Sequence, residues 1–291
     1  MPGKTAAKTV WFLAKHWNWF PMRSRLLGWV RGRGYAGLGG KWIRVKTTAG
    51  PIMDVVPLDY VGWVLIRDRR IEPQVTAVFQ DLLHPGDAVL DIGANYGYFT
   101  LLAASLVGPA GHVYAFEPNP SVASRLLENV GLNNFTNVRL HCVAVSNVPG
   151  TVEFHVAAQH SGLSSLRPLD GETATTISVH AAAIDSFADE MSHVRLVKID
   201  VEGAELLVLE GMKELLRYDH PYVTLEVTDR WIRQMHGDAS QVFALLHAFG
   251  YATYEIGPGG THPLSSPKGD QTCVLAAPPG SHVPGLGTAR R

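Results

Sequence analysis
Four short apolar runs in this chain each end on or beside a carboxylate: AVLDIG (88–93), HVYAFE (112–117), VRLVKID (194–200) and YVTLEV (222–227). Runs this short and continuous read as strands buried on both faces, the mark of a parallel sheet. Helical segments separate them. The first spans about 96–106. In the next, Asn119-Pro120 supplies an N-cap with proline at the first helical position, Val122, Leu126 and Val130 recur at helical spacing, and Gly131 closes the helix. This alternation predicts an α/β fold, an open, doubly wound, mostly parallel sheet with right-handed crossovers. Such sheets bind ligands beyond the carboxyl ends of their strands, which is where the carboxylates stand.

The remaining pattern extends the same plan. NVRLHCVAV (137–145) reads as a further strand, and TVEFHVA and TTISVHAAAI as an antiparallel pair joined by a polar loop containing HSGLSSL (160–166). EGAELLVLEGMKELL (202–216) reads as one helix. Asp238 and Gln241 have capping-box spacing; Val242, Leu245, Leu246 and Phe249 then form one apolar face, and Gly250 ends that helix. YATYEI and TCVLAA are the last two strands. The α/β domain itself is expected over 51–278, followed by a flexible tail over 279–291.

The strand ends carry the chemistry. The first run continues as Asp91-Ile-Gly93-Ala-Asn95-Tyr-Gly97. The G-x-x-x-G spacing is neither the dinucleotide fingerprint nor a phosphate-cradling P-loop. An aspartate just before the glycines would repel a pyrophosphate and suits a cationic ligand. Glu117, twenty residues after Gly97, can accept hydrogen bonds from both hydroxyls of a ribose. Asp200, Glu202 and Glu205 crowd the end of the third run, VRLVKID. Such carboxylates must be solvated, paired or bound to a cation. Asp200 is the first candidate for a general base or hard-metal ligand, Glu202 and Glu226 the second, with Asp200 and Glu226 as the metal candidates and Mg²⁺ as the ion. Glu202 and Glu205 also suit the N-terminus of the following helix. His160, in the polar loop, is an alternative base and equally an ordinary loop histidine.

Four segments together resemble the FkbM family of S-adenosylmethionine (SAM)-dependent methyltransferases: VLDIGANYGYFT, AFEPNP, the GLSSL loop and, most specifically, VKIDVEGAE followed by LEGM. The resemblance covers about 90–227. It implies a Rossmann-like, seven-stranded class I methyltransferase sheet with the last strand antiparallel between the fifth and sixth. It also implies SAM held by Asp91, Gly93, Asn95, Gly97 and Glu117, and O-methylation of a hydroxyl on a small molecule, sugar or glycolipid. Two rival readings stand beside it: an RNA 2′-hydroxyl methyltransferase, and a non-catalytic membrane-associated scaffold on the same fold. The second sits poorly with the intact Asp91, Gly93, Gly97 and Glu117.

The formal net charge of −1 conceals an asymmetry. Up to Met53 there are ten Lys or Arg and no Asp or Glu, whereas the remainder carries 15 basic and 26 acidic groups. Residues 1–50 also hold five of the seven tryptophans, Trp11, Trp17, Trp19, Trp29 and Trp42. They are expected to form a helical and strand-like extension. Within it, residues 8–31 interleave aromatic and basic side chains, which suits either packing on the core, a homodimer contact, or the surface of an anionic bilayer. The balance of the whole chain speaks against a general nucleic-acid binder. No apolar run reaches the ~20 residues a membrane span needs. With only Cys142 and Cys273, both in strand-like runs and expected as small core residues, a cytoplasmic setting is the simpler expectation, with peripheral contact at the inner membrane surface if 8–31 binds lipid.

Overall fold
A computed structural model describes residues 42–57, 59–157, 160–169 and 174–285. Most of the Trp-rich extension, including all of 8–31, and the last six residues lie outside the described residues. In chain order, strands β1 (Ile43–Lys46) and β2 (Ile52–Val55) are followed by helices α1 (Tyr60–Asp68) and α2 (Pro73–Leu82). Then come β3 (Ala88–Ile92), α3 (Tyr98–Val107), β4 (His112–Phe116), α4 (Pro120–Leu132), β5 (Val138–His141), β6 (Ala144–Val145), β7 (Gly150–Ala157) and β8 (Ala174–Ala182). The chain continues through β9 (Val194–Ile199), α5 (Glu205–Glu210), α6 (Lys213–Tyr218), β10 (Tyr222–Thr228), α7 (Asp229–Gln234), α8 (Ala239–Ala248), β11 (Ala252–Gly257), β12 (Gly260–Pro263) and β13 (Gln271–Ala277).

The main sheet runs β12-β11-β13-β10-β9-β3-β4-β5. Strands β5, β4, β3, β9 and β10 are mutually parallel, and β13 lies antiparallel between β10 and β11. This is the expected doubly wound α/β sheet, with one strand more than seven. The extra strand, β12, folds back on β11 as a hairpin edge. Strand alternation divides the core in two. Val89 and Leu196 pack with Phe79, Leu101 and Leu102 on one face, and Leu90, Ile92, Val197 and Ile199 pack with Val208 and Leu246 on the other. Each such fully buried side chain is worth about 1.5–3 kcal/mol of burial.

Several expected elements differ. The strand over 137–145 is split: β5 ends at His141, and Ala144–Val145 leaves to pair with β8 in a separate three-stranded sheet with β7. Cys142 falls at that break and is exposed rather than in the core, whereas Cys273 is partly buried in β13; both are free thiols. The helix over 202–216 is two helices. Glu205 folds back to accept the Gly203 N–H at 2.9 Å, which sets the first start, and Asp185 caps Glu214 N at 3.0 Å and Leu215 N at 3.1 Å, which starts the second. α4 runs one residue past Gly131. The capping box at Asp238 and Gln241 is present. The hairpin β1–β2 crosses the boundary expected at residue 50, because Val45, Met53 and Val55 join the core beneath α4. The tail is held as far as residue 285. Tyr222 donates to His282 O at 2.6 Å, and His282 Nε2 sits 2.8 Å from Asp81 Oδ2.

Candidate active site
A cleft opens where β3, β4 and β9 end, and the loop over 160–166 roofs it. After β3 the chain turns sharply. The N–H groups of Gly93 and Ala94 both donate to Phe116 O, at 2.9 and 3.0 Å, and Asp200 N donates to Ile92 O at 2.9 Å. Gly93 has φ +83°, and a Cβ there would lie 1.8 Å from the Asp200 carbonyl oxygen. Glycine is thus demanded by the neighbouring chain as well as by the turn. Gly97, φ +93°, seats α3 against α4, where a Cβ would meet Leu126 Cγ at 2.9 Å; it stands behind the cleft and does not line it.

Glu117 is buried at the floor of the cleft. Its Oε2 accepts the Asn95 N–H and its Oε1 the Asn119 N–H, both at 2.9 Å. Burial pushes its carboxyl up to about 7 against the pull of those two donors. Each oxygen retains acceptor capacity for a further hydroxyl. Asn95, with φ +51°, turns its own Oδ1 onto Tyr96 N at 2.7 Å.

Asp91 was expected at the ligand, but strand alternation points it the other way. It is 1% exposed beneath α3, accepts the Thr100 hydroxyl at 2.5 Å and lies in register with Lys198 of β9. Burial raises its carboxyl, and Lys198 opposes the rise. Lys198, itself 4% exposed, donates to Asp200 Oδ2 at 2.7 Å. Burial works against its charge, but Asp200, Glu72 and Asp91 together outweigh that and hold the ammonium above the usual lysine range. Asp200 lines the cleft.

The other acidic candidates ring this pair without lining the cleft. Glu226 accepts the Gln271 amide, and burial followed by Asp200 raises its carboxyl. Glu202, at φ +56°, offers its backbone carbonyl to Ser165 Oγ at 2.8 Å and Arg167 Nε at 3.0 Å. Burial, then Asp200 and Glu226, push its side-chain carboxyl up to about 10. Glu205, the first residue of α5, accepts the Gly203 N–H and is pushed to about 7 by burial. His160 stacks on Tyr60 with ring centroids 4.3 Å apart, outside the cleft that its neighbours Ser161 and Gly162 line.

The donor set decides which groups fit. The cleft is lined by two carboxylates, Glu117 and Asp200, and by no Lys, Arg or His among the described residues. That suits a ligand carrying a sulfonium and an ammonium. A divalent metal does not fit the expected Asp200–Glu226 pair. Asp200 is already engaged by an ammonium, and among the described residues no three His, Cys, Asp or Glu converge to hold an ion.

A family model, Methyltransferase FkbM domain, matches residues 91–253, from the β3 carboxylate to the start of β11. The chain belongs to the FkbM methyltransferase family. Among its relatives are a hexuronic acid methyltransferase, AglP, of Haloferax volcanii, 29% identical over 52% of this chain and 61% of its own length. Another is the 2-O-methyltransferase NoeI of Sinorhizobium fredii, 29% identical over 62% of this chain and 78% of its own. This FkbM-family chain therefore spans about three-fifths of the archaeal relative's length. A solved FkbM methyltransferase from Methylobacillus flagellatus aligns with TM-score 0.43 at 15% identity, over 69% of this chain and 50% of that one.

Two residues beside the cleft, Lys198 and Glu72, escaped the sequence reading. Lys198 carried a legible signal, since it stands two residues before Asp200 in a buried strand and so faces the same side as Asp200. Glu72 carried none. It reaches the acidic group only because α2 starts there, where burial raises its carboxyl to about 7 while Lys198 pulls it down.

Proposed function
We propose that this chain is an O-methyltransferase that moves the methyl group of SAM onto a hydroxyl of a sugar, glycolipid or small-molecule acceptor. The observation that carries the reading is the cleft itself, where Asp200 shares a wall with Gly93, Asn95 and Glu117. In this reading the Gly93–Asn95 turn and Glu117 hold the nucleoside, with Glu117 accepting from the ribose hydroxyls. SAM, when bound, supplies an electrophilic methyl group whose sulfur leaves as a neutral thioether.

An acceptor hydroxyl is too weak an acid to attack unaided, so its proton must leave as the carbon–oxygen bond forms. Asp200 takes that proton. Lys198, buried beside it, donates to its Oδ2 and fixes the carboxylate in direction. The roof residues Ser161 and Gly162 keep water from the reacting oxygen. The sugar class of acceptor rests on the substrates named for the AglP and NoeI relatives. A peripheral membrane contact through 8–31 would bring such an enzyme to a lipid-linked acceptor; a homodimer through the same segment would not.

The test is incubation with SAM and a panel of hexoses, uronic acids and glycolipids. A methyl ether and an equivalent of S-adenosylhomocysteine are expected from at least one carbohydrate. Transfer to RNA but to none of these would overturn the acceptor class.

A further inference from the structure
The roof of the cleft is tied to a part of the chain that precedes the methyltransferase sheet. Asp59, the N-cap of α1, is 8% exposed, and its two oxygens divide their work. Oδ1 accepts Val61 N at 2.9 Å and Gly62 N at 3.3 Å, closing the start of the helix. Oδ2 accepts Ser161 N at 2.7 Å, from a residue 102 positions away. The Ser161 hydroxyl lies 3.0 Å from Asp59 Oδ1 and 3.2 Å from Asn95 Oδ1, so its single proton lies between the two. Asn95 in turn donates its backbone N–H to Glu117. One continuous line of hydrogen bonds thus runs from α1 through the roof to the carboxylate on the floor. Tyr60 and His160 stack beside it and fix the same two segments ring on ring.

From this geometry we infer that Asp59 is a positioning residue for the cofactor cleft, clasping Ser161 so that the 160–163 turn and Asn95 are held in their binding arrangement before SAM arrives. The inference rests on the reading of the cleft as the SAM site. Its physical content is preorganisation: a roof already ordered loses less freedom on binding. The charge matters on one oxygen only. A carboxylate can face the helix N–H groups and the Ser161 N–H at once, whereas an amide turned to cap the helix must direct its NH₂ at the Ser161 N–H.

That asymmetry supplies the experiment. Asparagine is as good an N-cap as aspartate, so Asp59→Asn keeps α1 and opens the clasp. Calorimetric titration of SAM into the parent and into Asp59→Asn is expected to show the dissociation constant rising about tenfold, or about 1.4 kcal/mol. The thermal midpoint should move little, and kcat at saturating SAM should stay within about twofold of the parent, so that the effect falls on KM for SAM. Ser161→Ala should weaken SAM by a few fold alone and add almost nothing in the Asp59→Asn background, because the two act as one unit. Unchanged affinity in Asp59→Asn overturns the inference. So do fully additive losses in the double variant, which would mean that Ser161 touches SAM independently of Asp59. If Asp59→Asn loses the fold, Ser161→Ala reads the clasp from the other side, and full SAM affinity there is the overturning result. A parent that binds no SAM overturns the cofactor reading of the cleft and the clasp with it.

Discussion
At the β3–β4 end of the cleft a single carboxylate, Glu117, is met by two backbone N–H groups; behind the cleft, next to Asp200, the carboxyls of Asp91, Glu226 and Glu72 join it around a single ammonium, Lys198. The first arrangement is made of backbone, whose geometry follows from the turn after β3. It holds one acceptor ready and needs no counter-ion. The second is made of side chains brought from four elements, and its carboxylates outnumber the charge that neutralises them. Burying excess negative charge costs stability, and the proposed mechanism places the proton acceptor, Asp200, within that group. On the proposed mechanism the contrast is between a half that binds and a half that reacts, and it can be broken one residue at a time.

The largest effect is expected from Asp200→Asn. It preserves shape and removes the proton acceptor, so turnover should fall by roughly 10²–10⁴ while SAM affinity stays within a few fold. Single-turnover kinetics with SAM binding measured in parallel would separate the two. Equal loss of binding and turnover would erase the distinction between the halves.

Lys198→Met should come next. It leaves several buried carboxylates without their shared partner, and breaking a buried pair in this way costs about 3–5 kcal/mol. The deficit has a sign in pH. Without the ammonium the folded carboxyls are raised further above their unfolded values, so the folded state holds protons more tightly and the deficit shrinks as pH falls. Urea melts at pH 5 and pH 8 should show the greater loss at pH 8. A pH-independent loss would mean that Lys198 matters for packing against Phe99, 4.8 Å away, and not for charge.

Glu117→Ala tests the binding half. SAM should bind more weakly by about 1.5–3 kcal/mol, the range for hydrogen bonds to a charged group. The smallest effect expected is a pH dependence of the parent. Burial pushes Glu117 to about 7, and ribose hydroxyls would donate to its ionised form. SAM affinity should therefore rise by at most about tenfold from pH 6 to pH 8, with proton release on binding. Stability of the ligand-free protein runs the opposite way. A carboxyl raised above its unfolded value contributes fully below that value and loses the contribution as pH rises through 7. Affinity flat in pH, in a protein that still needs Glu117, would show that its proton is not linked to the cofactor.

Much of the fold could be read from apolar runs, because a buried parallel strand has no polar alternation to hide it. β3, β4, β9 and β10 all lie where those runs stand. Helices α1 and α2 were not legible. Their capping residues are Asp59, whose second oxygen is committed to a distant loop, and Glu72, which caps nothing and lies in the left-handed region. The split of 202–216 was likewise hidden, since the Asp185 that starts α6 comes from a segment far back in the chain. In the site, Gly93, Asn95, Glu117 and Asp200, which line the cleft, were each singled out by the sequence, whereas the Lys198 ammonium paired with Asp200 was not.

By itself the sequence determined which residues end each strand, and through the period of two which residues of one strand share a face: Val89 with Asp91 and Leu90 with Ile92 in β3, Leu196 with Lys198 and Val197 with Ile199 in β9. Strand geometry leaves no freedom in that assignment. Tertiary structure decided the rest. Register set Asp91 beside Lys198 and so turned an expected ligand carboxylate into a buried counter-charge. Close packing of two turns made Gly93 answer to the Asp200 carbonyl. The fold also carried Ser161 back onto Asp59, a contact between residues 102 positions apart. Such contacts depend on loop lengths and helix docking, and no local preference of either residue encodes them.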